Sequence, residues 1–403
     1  MSGRPRVLVL HCLVQPHGGA CGVLCWILQA LRRDYDVTLL TWHPIDLPAL
    51  NRYFGTALEP ADFAIRHIHP AIRRIFEMDP DPGSIQKNCY LMRVAKRMRR
   101  NFDAVLVSDG EADVGEPAIQ YVHVPVVAHV YSSVIPDSDL PIGKKLAAIA
   151  QGRIRPWMLA GDFSFARMRR NRTLVNSEWT GEWVRRVYGI DTVTVYPPAP
   201  GEFPEIPWER REDGFVVIGR LHPGKRPDWC LSVLEIVRRE FPVKLHIIGS
   251  TSSWADEAEY YRELVPMVNA NASWVTLHEN ISRGEMQQLV ARQRYGMHAM
   301  QDEHFGMAVA EMVLAGCIPF VHNSGGPTEI VGHDSRLIYD SAEEAAERIL
   351  RVLQSPAEQA DIRAGLASRK DLFRPATFMR AIRAEVARAL NESPNSPHRG
   401  SLP

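Results

Sequence analysis

Two carboxylates stand eight positions apart in Gln301-Asp302-Glu303-His304-Phe305-Gly306-Met307-Ala308-Val309-Ala310-Glu311. Residues 305–315 are rich in Ala, Met, Val and Leu, and Gly316 follows where a helix C-terminus favours glycine. Glu303 would lie at the mouth of that helix and Glu311 about two turns along it. Unpaired buried carboxylates are costly, so packing does not account for them. Hydrogen bonding to a hydroxyl-rich ligand does. An equally good account has Glu303 complementing the helix dipole and Glu311 facing solvent. Arg220 and Lys225 flank a turn after the apolar run 215–221. Two fixed cations there suit a diphosphate, whose charge grows as it leaves. Either one alone would be an ordinary surface residue. His123 closes the short apolar run 119–122, at the end of a strand where open α/β sheets bind ligands. A hydrogen-bonded core histidine explains it equally well. Gly18 and Gly19 follow the first strand and would let backbone amides approach an anion at a helix N-terminus. A tight turn more often explains such a pair. His67 and His69 lack partner ligands and read as structural.

These residues need strands and helices in alternation, and the chain supplies them twice. Apolar runs at 6–12, 36–42, 102–109, 119–124, 172–177 and 192–196 read as strands, with helices over 23–31, 85–101 and 178–188. The second half repeats the pattern. Strands fall at 215–221, 243–249, 274–279, 295–300 and 318–323, with helices from 228, over 255–269 and over 305–315. Capping boxes open three more helices, at Ser282…Glu285, Ser341…Glu344 and Ser355…Glu358. The class is α/β. Five prolines between 197 and 207 mark a boundary. The division is residues 1–198, a linker 199–211, residues 212–374, an amphipathic helix 375–390 and a disordered tail 391–403.

The 403 residues suffice for two cores. The formal net charge of zero argues against a nucleic-acid binder. Residues 1–200 carry 24 Lys+Arg against 19 Asp+Glu, and residues 201–403 carry 23 against 28. Lys87, Arg93, Lys96, Arg97, Arg99 and Arg100 form one basic cluster. Arg153, Arg155, Arg167, Arg169, Arg170 and Arg172, among Trp157, Met158, Leu159, Phe163 and Phe165, form another. Both read as solvated surface, with an anionic membrane or phosphate-bearing acceptor as the sharper alternative. The six cysteines contain no CxxC pair, so reduced thiols in a cytoplasmic protein are expected. No signal-peptide core precedes the first strand, and no apolar run approaches about 20 residues.

Glu303 and Glu311 resemble the E-x7-E motif of the retaining glycosyltransferases of family 4, which have the GT-B fold. Further motifs follow in that family's order: the Gly18-Gly19 loop, His123, Val175-Asn176-Ser177 with Tyr196-Pro197-Pro198, Gly219-Arg220 with Lys225, and Gly325-Gly326-Pro327. Locally, residues 303–327 are most similar to mannosyltransferases of lipid-linked oligosaccharide assembly. The resemblance implies two Rossmann-like domains facing a central cleft, with the C-terminal helix crossing back to the first. It implies transfer of a hexose from a nucleoside-diphosphate sugar, GDP-mannose or a UDP-sugar, to a hydroxyl of a glycan, glycolipid or small metabolite. Glu303, His123, Arg220 and Lys225 would be catalytic, with Glu303 facing the sugar. Gly18, Gly19, Arg220, Lys225, Glu279, Phe305, Gly306, Met307 and Glu311 would bind the donor, with Glu311 on the ribose. Closure about the linker would bring Gly18, Gly19 and His123 over the diphosphate. No metal or other cofactor is implied, and many members use membrane-borne acceptors, which suits a cytoplasmic protein peripheral at the inner membrane face. A nucleotide-sugar epimerase of the same architecture and a non-catalytic sugar-nucleotide-binding subunit are the alternatives. An NAD-dependent oxidoreductase is disfavoured, because neither half opens with the dinucleotide fingerprint.

Overall fold

The computed structural model describes residues 3–14, 18–77, 84–125, 127, 163–250 and 255–392. The chain divides into two compact units, Met1–Pro198 with Pro375–Pro403, and Ala199–Arg374.

The first unit runs β1 (Arg6–Leu10), α1 (Gly19–Leu31), β2 (Asp36–Thr41), α2 (Leu47–Phe54), β3 (Phe63–His67), α3 (Pro70–Glu77), α4 (Ser84–Met98), β4 (Ala104–Val107) and β5 (Ile119–Val122). It continues with α5 (Phe165–Met168), β6 (Arg172–Val175), α6 (Glu178–Tyr188) and β7 (Val193–Thr194). All seven strands are parallel, in the order β3-β2-β1-β4-β5-β6-β7. Parallel strands are covered on both faces, so β1 and β4 read as unbroken apolar runs rather than alternating ones.

The second unit runs β8 (Glu212–Ile218), α7 (Pro227–Val237), β9 (Lys244–Gly249), α8 (Ala255–Ala270), β10 (Val275–Glu279), α9 (Arg283–Arg292), β11 (Gln293–His298), α10 (Met307–Ala315), β12 (Ile318–His322), α11 (Pro327–Ile330), β13 (Ile338–Tyr339), α12 (Ala342–Gln354) and α13 (Pro356–Arg369). Its six parallel strands lie in the order β10-β9-β8-β11-β12-β13. This is the doubly wound order, and the order in which strands are added reverses between β8 and β11. The carboxyl ends of those two strands are therefore where a ligand is expected.

The last helix, α14 (Pro375–Glu392), belongs to the first unit. Phe378, Ile382 and Val386 are buried in one apolar cluster with Val9, Leu24, Leu28 and Leu106. Arg172 on β6 grips Glu385 through two bonds of 2.8 and 3.2 Å. The six cysteines are free and buried. Burial pushes the Cys25, Cys89 and Cys317 thiols up to about 12, so they stay protonated packing groups at neutral pH. No helix among the described residues is long and apolar enough to cross a membrane.

Several expected boundaries move. The 295–300 strand is Gln293–His298, because the pairing with β8 starts at Gln293↔Glu212 and absorbs an irregularity before Tyr295. The 85–101 helix is Ser84–Met98, closed by a 3-10 turn over Arg99–Asn101. Ser282 and Glu285 form the full capping box. Ser341 and Ser355 accept from the backbone of Glu344 and Glu358, which is the serine half of the device. The expected tail beyond residue 392 lies outside the described residues.

Because α14 supplies core to the first unit, Ile382→Ala should destabilise that unit by about 2–5 kcal/mol. Urea unfolding followed on first-unit probes checks this; an unchanged midpoint would contradict the packing.

Candidate functional site

The strand β8 delivers its last residues into a turn that holds two cations. Gly219 follows the strand, and the Lys225 stem lies 3.5 Å from where a Cβ on Gly219 would stand. His222 Nδ1 accepts from Gly224 N–H at 2.9 Å and shapes the turn Pro223–Lys225. Arg226 takes a left-handed φ of 52° before Pro227 opens α7. Arg220 extends its guanidinium to Glu257 in the first turn of α8, at 2.8 Å. The Glu257 side chain is 1% exposed, so Arg220 has a buried anchor while 56% of its own side chain faces solvent.

Glu303 comes from the loop after β11, and two glycines fix that loop. A Cβ on Gly325 would stand 2.1 Å from the Glu303 carbonyl oxygen, and one on Gly326 would lie 2.7 Å from the Phe305 Cα. Only glycine permits this approach. Gly326 N–H donates to the Glu303 carbonyl at 2.9 Å. Ser324 Oγ accepts from Asp302 N–H at 2.8 Å, where Asp302 has a φ of 51°. The Gly-Gly-Pro turn is thus the bed under the acidic loop.

The Glu303 carboxylate receives the Lys225 ammonium and lies 3.4 Å from His298 Nε2. Burial alone would raise its pKa. The His298 ring and the Lys225 charge outweigh that and hold Glu303 far below the usual carboxylate range. His298 is itself lowered, chiefly by burial, and is neutral at physiological pH. A group depressed in this way adds stability above its ordinary pKa and loses it as the pH falls.

The helix α10 begins at Met307, not Phe305. Gly306 takes a φ of 102° as its N-cap, and a Cβ there would press on Pro327 at 3.0 Å. Glu303 therefore sits on the loop rather than in the first helical turn. Glu311 does not face solvent: it is 7% exposed and bonds Arg283 Nη2 at 2.8 Å. Phe305 is buried, its ring centroid 6.0 Å from that of Phe373. Glu279 ends β10 on the surface and takes a hydrogen bond from Tyr261. The second unit thus gathers Arg220, Lys225 and Glu303 at the β8 and β11 ends, with Glu311 on the helix that follows. Sequence reading missed Glu257, Arg283 and His298. A histidine as the last residue of a buried strand was the available signal for His298. Arg283 and Glu257 act on partners 28 and 37 positions away.

In the first unit, Gly18 caps α1 and Gly19 opens it. His123 follows β5, and its Nε2–H donates to the Ser108 carbonyl at 2.9 Å. Nearby, His11 Nδ1 meets Ser108 Oγ at 2.9 Å, and Asp109 accepts from Cys12 N–H at 2.7 Å. The carboxyl ends of β1, β4 and β5 thus carry a polar group of their own.

The basic clusters are split: Arg97, Arg100, Arg169 and Arg170 are exposed, and others are paired within the fold. Lys96 and Arg167 converge on Asp113 at 3.1 and 2.9 Å, and the Asp113 side chain is 1% exposed. Arg99 donates to the Pro117 carbonyl, and Arg172 is taken by Glu385. Arg153, Arg155, Trp157, Met158 and Leu159 lie outside the described residues.

Two doubly wound α/β domains, one carrying cations and paired acids at its switch point, define a GT-B protein. Residues 202–367 match the family Glycosyl transferases group 1. The GDP-Man:Man(3)GlcNAc(2)-PP-Dol alpha-1,2-mannosyltransferase of Dictyostelium discoideum is 27% identical over 258 residues, covering 59% of this chain and 50% of that protein. The Homo sapiens protein of the same name is 28% identical over 206 residues, 46% of this chain and 42% of that one. The chain spans about half the length of the curated relatives it matches. Anabaena HepE, solved with UDP and glucose, aligns at a TM-score of 0.64 and 16% identity over 95% of this chain and 100% of that one. At that identity the likeness speaks to the fold.

If Lys225 holds Glu303 ionised, the Glu303 carboxyl should remain charged at about pH 4, where a free glutamate is near half-protonated. Lys225→Met should raise its pKa. A carboxyl-carbon NMR titration of labelled protein reads both; an ordinary glutamate titration in the native chain would contradict the assignment.

Proposed function

We propose that the chain transfers a hexose from a nucleoside-diphosphate sugar to a glycan hydroxyl, with retention at the anomeric carbon. The observation that carries this is the Lys225–Glu303 pair beside Arg220 at the β8 and β11 carboxyl ends. Arg220, steadied by Glu257, and Lys225 would take the diphosphate and neutralise the charge it gains on leaving. Glu303, ionised and restrained, would read sugar hydroxyls. A carboxylate already engaged by an ammonium is a weak nucleophile, which favours same-face attack, with a donor phosphate oxygen taking the acceptor proton. Glu311 would bind the ribose. The roles of Gly18, Gly19 and His123 rest on the family resemblance.

Mannose from GDP-mannose is the favoured donor, since relatives named for that donor match 59% and 46% of this chain. The acceptor in the names of those relatives favours a lipid-linked glycan. With two cations on the diphosphate the reaction needs no metal, and turnover should survive EDTA; its loss would refute that part.

Assay of GDP-mannose against UDP-sugars, with product anomers read by NMR, tests the whole reading. An α-linked mannoside is expected from the α-configured donor, and a β-linked product would refute retention. Glu303→Ala should lower turnover by about 10²–10³-fold with nucleotide binding mostly kept. Equal loss of both would remove Glu303 from the sugar. An acceptor carried on a membrane would be met through the basic first domain, where Arg97 and Arg100 stay exposed. Binding to anionic vesicles that weakens with salt is expected, and no binding at low salt would refute this contact.

A further inference from the structure

The segment by which the chain enters the second unit is fastened beside the Glu311 carboxylate. Arg283, the first residue of α9, donates through Nη2 to the Pro200 carbonyl and to Glu311 Oε1, the latter at 2.8 Å. Next to Pro200, a Cβ on Gly201 would stand 1.8 Å from the Gln287 amide nitrogen, so the segment lies directly against α9. Ala199 N–H donates to the Phe373 carbonyl at 2.9 Å, which ties the incoming segment to the outgoing one. The Phe373 ring packs on Phe305 of the acidic loop. The Glu311 side chain is 9% exposed, and a carboxylate that deep needs a counter-charge and a fixed direction. Arg283 gives both and occupies one oxygen, leaving the other oxygen's lone pairs for hydroxyl donors.

We infer that Arg283 is a positioning residue for the donor: it aims Glu311 at the ribose hydroxyls and ties that carboxylate to the entry segment at Pro200. The inference rests on Glu311 being the ribose ligand. Without Arg283 the carboxylate loses its partner and turns toward water, which removes the aimed acceptor. The diphosphate, held by Arg220 and Lys225, would not register the loss.

The test is titration calorimetry of the full chain with GDP, UDP and inorganic pyrophosphate, on the native protein, Arg283→Gln, Glu311→Gln and the double variant. With whichever nucleotide binds the native chain, Arg283→Gln should weaken binding by about ten- to hundredfold, the range for a hydrogen bond to a charged group. Pyrophosphate affinity should not change. The double variant should bind no more weakly than Glu311→Gln. In turnover, donor KM should rise with kcat near native. Should Arg283→Gln fail to fold, Arg283→Lys, which keeps the charge but not the fork, should show a smaller loss for the nucleotide and none for pyrophosphate. Pyrophosphate binding weakened equally would place Arg283 on the phosphates and overturn the inference. Nucleotide affinity unchanged in both Arg283 variants, or losses that add in the double variant, would overturn it too. A native chain that binds neither nucleotide would instead sink the donor reading beneath it.

Discussion

A carboxylate that reads sugar hydroxyls must be charged, still and nearly dry, and these demands conflict unless a cation is fixed beside it. On the proposed reading, the ion pair between Lys225 and Glu303 resolves that conflict, and the strand order of the second unit brings its two halves together. Lys225 arrives on the turn after β8 and Glu303 on the loop after β11, strands that are adjacent in space although about 80 positions apart in the chain. The doubly wound order makes them neighbours. The Gly325-Gly326 bed then sets the height of the Glu303 loop, and His298 closes the carboxylate from the sheet side. Neutralising Glu303 costs nothing in reach, since a lysine ammonium has three donors and can serve a phosphate as well.

The same logic repeats along the site. Arg220 leans on the buried Glu257, and Glu311 on Arg283. Arg220, Lys225, Glu303 and Glu311 thus each have a partner of opposite charge. Removing one partner leaves the other uncompensated in a dry place, which is why such networks hold geometry more than they add stability.

Much of the architecture was legible because parallel strands announce themselves. Covered on both faces, they are short apolar runs, and several of the helices between them carry serine caps. The start of α10 was not legible. Phe305 and Gly306 continue the apolar pattern, but the left-handed Gly306 ends the loop two residues later than composition suggests. The burial of Glu311 was hidden for a related reason: its counter-charge opens a different helix, and local sequence says nothing of that. The basic clusters were legible only in part, because charge composition does not disclose partners. Lys96 and Arg167 are spent on Asp113, and Arg172 on Glu385 from the last helix. Local spacing identified Glu303, Glu311, Arg220 and Lys225 as chemically unusual; which carboxylate each cation would meet came only from the fold.

The most direct measurement of the central claim is a crystal structure of the chain with GDP bound. The account predicts the diphosphate on Arg220 and Lys225, the ribose hydroxyls on Glu311, and Glu303 still ionised beside the terminal phosphate. Nucleotide density away from the β8 and β11 ends, with the Lys225–Glu303 pair untouched, would contradict it.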